Sequence, residues 1–348
     1  MRIINIEHRL DDYVCMWNGT EDLYIEKSGE NLPPKFFFVL ASFGTFCYMK
    51  TDKSELKRMV ALGDGRTRKM YEFLAPIAGF DYKFSEAKTF ESALKKAKRE
   101  IDMGYPCMLG ALDMFYLPYF TKIYHMEHIP FHYVMMIGYD DEAGCIYMND
   151  CGRKETQILS YDELKLAWNC SYPGLSKPFT VCSIRMGNVQ GKYEIAKKAF
   201  AKKAELFLNP TVGFVGYKGF EKFIRELPDW KNELSIDDYD KLLFNLVQFF
   251  GTVPTIPNAL RGVAKKDEVE YCGGFDKVYT VLKELSKEYK DENMGKAADI
   301  FVEGAPIITE IKDIIVAYLL KKSDRTEELP ELFTNILQCM KCGFELLT

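Results

Sequence analysis

Four histidines, at positions 8, 125, 128 and 132, are the only imidazoles in the chain, so chemistry that needs one has few candidates. His132 opens the run HYVMMIGYD (132–140), which reads as a strand, and the next run, CIYMND (145–150), closes on Asn149 and Asp150. The Asp-Asp-Glu-Ala-Gly stretch at 140–144 is turn chemistry and predicts an antiparallel hairpin between them. Adjacent antiparallel strands can set an imidazole beside a carboxylate, which orients the ring and stabilises its cation. Neighbours on a strand face opposite sides, so only one of the pair can point at His132: Asp150 is the expected orienter and Asn149 the fallback. A cysteine thiolate held by that imidazolium and by a helix N-terminus would supply a nucleophile. Among ten cysteines Cys15 fits best, following a polar segment and preceding a stretch that could be helical, whereas Cys47, Cys107 and Cys182 lie inside apolar runs. The competing reading of Cys15 is a buried structural thiol.

Other residues carry weaker signals. Asp113 directly follows an apolar strand, where a carboxylate is unexpected; a contact to a substrate amine and a structural cap explain it equally well. Arg261, in the irregular segment GTVPTIPNALRG (251–262), is a candidate for pairing with a substrate carboxylate or phosphate, against the alternative of a surface salt bridge. His125, His128 and His132 in HxxHxxxH would share a helical face, but the residues from 132 read as strand, which splays them, and no metal site is expected. Cys339 and Cys342 form a single CxxC in a helical pattern and are read as ordinary thiols. Gly63-Asp64-Gly65-Arg66 is too short for a phosphate loop and is read as a turn, so no cofactor is expected.

The elements that must position these residues change character near residue 190. Before it, apolar runs rich in β-branched and aromatic residues predict strands at 105–112, 132–140, 145–150, 156–160 and 179–186. Helices are interleaved. Thr89 can cap one whose Phe90, Ala93, Leu94, Ala97 and Ile101 share a face, and Ser160 with Glu163 forms a capping-box signature. The first half is therefore α+β. After the link GNVQGK (187–192) the period is helical, with Tyr239, Leu242, Leu243, Leu246 and Val247 on one stripe and Phe275, Tyr279, Leu282 and Tyr289 on another. This predicts an α+β domain at 1–188 and an all-helical domain at 192–348.

Composition excludes several classes. The 348 residues carry a net charge of −5 and no long basic stripe, which argues against a nucleic-acid partner. The longest uncharged run, Phe36 to Met49, is shorter than the roughly 20 residues of a membrane span. The first residues, MRIINIEHRLDD, lack the apolar stretch of a secretory signal, so a cytoplasmic protein with reduced cysteines is expected.

The order cysteine, long gap, histidine, then Asp or Asn on the following strand is that of papain-like enzymes. The stretch from GYPCMLGALDMFYLPYF (104–120) through HIPFHYVMMIGYDDEAGCIYMND (128–150) to SYDELKLAW (160–168) resembles the papain-like core of the bacteriocin-processing cysteine peptidases. More specifically, it resembles the N-terminal domain of the butirosin-biosynthesis protein H family, and GTVPTIPNALRGVAKKDEVE (251–270) is similar to that family's helical C-terminal module. The resemblance implies a papain-like core in which an acyl group passes through an enzyme cysteine from a carrier-protein thioester to an amine. The motif positions fall here on Cys15, His132 and Asp150. Where the cysteine peptidases keep a glutamine before the nucleophile, this chain has Arg9 and Leu10, and small residues after it are replaced by Met16 and Trp17. Oxyanion stabilisation is then expected from backbone N–H groups, helped by His8 or Arg9. The expected function is thiol-dependent acyl transfer or amide hydrolysis on a small molecule or peptide, with an acyl-carrier protein as a candidate partner. The rival is a catalytically inactive papain-like protein that binds such a ligand in the same cleft.

Overall fold

The computed structural model describes residues 1–11, 14–52, 56–171, 177–249 and 274–348. They form two compact units, Met1–Phe38 with Gly65–Ile195 and Val39–Asp64 with Ala196–Thr348. Residues 39–64 group with the C-terminal unit, and the rest of 1–195 forms the first.

The first unit is built on an antiparallel sheet. Its strands are β1 (Arg2–Ile3), β4 (Phe80–Glu86), β5 (Cys107–Leu112), β6 (His132–Asp140), β7 (Cys145–Asp150), β8 (Arg153–Ser160) and β9 (Thr180–Met186). The order is β4-β9-β5-β6-β7-β8, with β1 paired to β6, and the predicted 140–144 hairpin joins β6 to β7. Asp140 Oδ1 accepts from the N–H groups of Glu142 and Ala143 at 2.9 and 3.2 Å, closing the turn as its Asp-rich sequence implies.

One face is covered by α4 (Phe90–Asp102) and α5 (Tyr161–Trp168). Thr89 caps α4 by accepting from Ser92 N–H, and the buried residues are the predicted stripe of Phe90, Ala93, Leu94, Ala97 and Ile101. These pack with Cys107, Leu109, Val134, Met136, Ile146, Met148, Leu159 and Trp168. The capping box of α5 is complete, since Ser160 accepts from Glu163 N–H and the Glu163 carboxylate reaches back to Ser160 N–H. Helix α1 (Cys15–Ser28) packs on β6, β7 and β9. Gly19 is what lets it approach: a Cβ there would stand 2.6 Å from Met135 Cβ on β6.

The second unit is mainly helical: the elements of its described residues after 192 are all helices, as expected, and residues 39–64 add a two-stranded sheet of β2 (Phe46–Lys50) and β3 (Arg58–Leu62). The inward residues Phe46, Tyr48 and Val60 need an apolar lid, and the helix Gly216–Glu226 supplies one. Its Phe220 stacks on Phe46 at 4.1 Å and its Phe223 meets Tyr48 edge-on at 5.7 Å. The helix Ile236–Phe249 buries the stripe read from sequence, Tyr239, Leu242, Leu243, Leu246 and Val247. In Phe275–Tyr289 the buried stripe is instead Phe275, Val278, Val281, Leu282 and Leu285, with Tyr289 exposed. Among the described residues no helix is long and apolar enough to cross a membrane.

Candidate active site

The register of the β6–β7 hairpin decides which side chains meet. Met135 pairs with Asn149 and Met136 with Met148. Continuing that ladder sets Asp150 opposite Val134, so His132 is its diagonal neighbour on the same face, within reach of a ring and a carboxylate. His132 Nε2 lies 2.7 Å from Asp150 Oδ2, and Tyr119 O–H donates to the same oxygen at 2.7 Å. Both partners are shielded, with side-chain exposures of 8% for His132 and 0% for Asp150. Phe120 stands edge-on to the imidazole at 5.2 Å.

Cys15 is the first residue of α1, at the positive end of a 14-residue helix. It is partly exposed, and it lies close enough to the His132 ring to act on the imidazole's titration. Because Nε2 is taken by Asp150, Nδ1 is the nitrogen left for the sulfur. Burial by itself pushes the His132 imidazole down. The Asp150 carboxylate and then Cys15 outweigh it and hold the pKa up at about 10. Burial pushes Asp150 the other way, yet the His132 charge and the hydrogen bonds from His132 and Tyr119 keep its carboxyl below the ordinary range. The arrangement favours an imidazolium facing a carboxylate, with the Cys15 sulfur in the neighbourhood of the ring.

The other residues singled out in the sequence fall elsewhere. Asn149, the fallback orienter, points away from the histidine and accepts from Thr156 O–H at 3.2 Å. Asp113 is a loop clamp: Oδ1 accepts from Phe115 and Ile129 N–H at 3.0 and 2.9 Å, and Oδ2 lies 2.6 Å from His128 Nδ1. Both its oxygens are engaged, as a structural cap requires. Arg261 lies outside the described residues. His125 stacks on Tyr124, His128 stacks on Phe115, and His132 is bound to Asp150, so the three imidazoles serve three different partners. Among the described residues no cluster of three or more His, Cys, Asp or Glu side chains could hold a metal ion.

His8 and Arg9 make structural contacts of their own. His8 Nδ1 is 2.7 Å from Asp22 Oδ2, and Nε2 is 3.0 Å from the main-chain oxygens of both Asp150 and Arg153. Arg9 bonds Glu21 and donates to the Leu32 carbonyl at 2.8 Å. Neither role is legible in sequence, because the partners lie in an irregular segment, on a neighbouring helix and on a turn some 140 residues away.

A mixed unit with an antiparallel sheet, a buried imidazole–carboxylate pair and a cysteine at a helix N-terminus is thus on hand, followed by a mainly helical unit. The family model of butirosin biosynthesis protein H, N-terminal, matches residues 14–151, a span that holds Cys15, His132 and Asp150. A second model, a domain of unknown function (DUF4872), matches residues 179–253. The chain belongs to the butirosin biosynthesis protein H-like family. No curated protein matches it.

Proposed function

We propose that this chain performs thiol-dependent acyl transfer from a papain-like N-terminal core, with Cys15, His132 and Asp150 as its working residues. The observation that supports this most is the 2.7 Å contact between His132 Nε2 and Asp150 Oδ2, made by an imidazole whose other nitrogen is left for Cys15. In the first half-reaction the Cys15 sulfur adds to the carbonyl carbon of an acyl thioester while His132 holds the proton. The donor's C–S bond then breaks, and the departing thiolate takes that proton from the imidazolium. An amine next attacks the Cys15 thioester and gives its proton to His132; the acyl C–S bond to Cys15 breaks, releasing the amide, and the imidazolium returns the proton to the sulfur to restore the thiol. Asp150, fixed by Tyr119, keeps the ring oriented throughout. The negative charge on the tetrahedral oxygen would be met by first-turn N–H groups of α1, whose positive end faces the reacting carbon.

A carrier-protein thioester is the proposed donor and a small-molecule or peptide amine the proposed acceptor, and the family's place in a biosynthesis favours transfer over hydrolysis. The test supplies an acyl N-acetylcysteamine thioester and maps the adduct by peptide mass spectrometry. The acyl group should sit on Cys15, vanish in Cys15→Ser, and be discharged by an added amine. Absence of an adduct on Cys15 would instead leave a site that only binds, and equal acylation in His132→Ala would overturn the role given to His132.

A further inference from the structure

The His8 side chain is shielded from solvent and has no part in the scheme above, yet its two ring nitrogens bridge the two elements that carry the working residues. Nδ1 meets Asp22 Oδ2 at 2.7 Å, and Asp22 lies on α1 seven residues, close to two turns, beyond Cys15. Nε2 meets the main-chain oxygens of Asp150 and Arg153, both at 3.0 Å, and so grips the turn that presents the Asp150 carboxylate. All three partners are acceptors, so both nitrogens must donate. Only the imidazolium does that, since neutral imidazole carries a single N–H. Side-chain exposures of 6% for His8 and 2% for Asp22 keep water from substituting.

The neighbouring main chain repeats the link. Arg9 N–H donates to Asp22 Oδ1 at 3.2 Å, and Asp11 N–H donates to the Cys151 carbonyl at 3.1 Å. The segment before Cys15 is therefore laced to α1 on one side and to the end of β7 on the other. We infer that His8 is a positioning residue that sets the Cys15 end of α1 against the His132–Asp150 pair, an inference that rests on the function proposed above. It acts through Asp22 and the 150–153 turn, and it touches no substrate.

The account requires that loosening the bridge displace Cys15 from His132 by a fraction of an ångström to an ångström, a shift that costs on the order of 10- to 100-fold in reactivity. The experiment measures the iodoacetamide alkylation rate of Cys15, by peptide mass spectrometry, in the parent chain, His8→Gln, Asp22→Asn and the double variant. Melting temperatures are recorded for each, and the His132 ring is titrated by NMR on histidine-labelled protein. Leu159→Ala, in the core between the sheet and helices α4 and α5, serves as a variant whose loss is stability alone. Both single variants should slow Cys15 by at least about tenfold at pH 7 and shift the His132 titration. The double variant should be little slower than either single one, as expected of two residues in one contact. Leu159→Ala should melt earlier with Cys15 unchanged.

If His8→Gln does not fold, Asp22→Asn carries the test, since it keeps the side chain's shape and removes its charge. Parent-like Cys15 rates and an unmoved His132 titration in folded variants would overturn the inference. Failure of the proposed function has a separate mark, a parent Cys15 that alkylates no faster than in His132→Ala, which does not depend on position 8.

Discussion

The His132–Asp150 pair ties protonation to stability. An imidazole whose folded pKa is raised from 6.5 to about 10 binds its proton more tightly in the native chain than in the unfolded one. Its stabilising contribution is complete below pH 6.5 and disappears as pH rises through about 10. Asp150 works in the opposite sense: its carboxyl is held below 3.8, so its contribution stands above that pH and is lost on acidification. Urea unfolding of the parent should therefore show stability falling between pH 6.5 and 10 more steeply than in His132→Gln, and parallel profiles over that window would contradict the pairing. The neighbourhood of this pair was readable in the sequence because the DDEAG turn predicts the hairpin, but the choice of Asp150 over Asn149 was not: the ladder shifts by one residue between Met136 and Gly138, and the Asp140–Cys145 register carried on without that shift would set Asn149 on the His132 face. His8 was not readable, since its type fits an oxyanion donor as well as a brace and only its acceptors distinguish the two.

At the scale of elements, α1 is the piece on which the site depends, and it carries no apolar stripe to announce itself. Asn18, Thr20, Glu21 and Asp22 are all buried in it. Glu21 is pushed up to about 8 by burial, with the Arg9 guanidinium pulling the other way. A helix held by polar contacts leaves little trace in hydrophobic periodicity, whereas α4, with its five-residue apolar face, was legible in full. Strand β4 was missed although Phe80, Tyr82 and Phe84 do alternate with polar residues, and the β2–β3 hairpin was hidden because Phe46–Met49 continues an apolar run begun in a helix. Gly19 makes the dependence testable. Gly→Ala within a helix ordinarily stabilises by about 0.5–1 kcal/mol, but here the new methyl would meet Met135 at 2.6 Å. Gly19→Ala should cost about 1–3 kcal/mol in denaturant unfolding, the range for overpacking, and a gain in stability would show that α1 does not press on β6 as described.

Over the whole molecule, the sequence gives the α+β character of the first half and the helical bias of the second, but not the assignment of residues 39–64. That segment's partners lie some 160 to 300 residues on, as in the 4.1 Å stack of Phe46 on Phe220 and the 5.9 Å approach of Phe43 to Phe344. Contacts of such sequence separation follow from packing in three dimensions and leave no local pattern. The proposed chemistry nonetheless rests on one thiol. Cys107 and Cys182 are buried and their thiols are pushed up by burial, and Cys170, bonded to the Ala111 and Pro130 carbonyls, is pushed up to about 12. Cys15 is partly exposed and lies near an imidazole held by a carboxylate. The most direct measurement is therefore residue-resolved alkylation of the native chain near neutral pH, in the parent and in His132→Ala. The account predicts that Cys15 reacts far ahead of the other cysteines in the parent and falls back among them in the variant. A Cys15 that reacts no faster than its neighbours, or equally fast without His132, would contradict it.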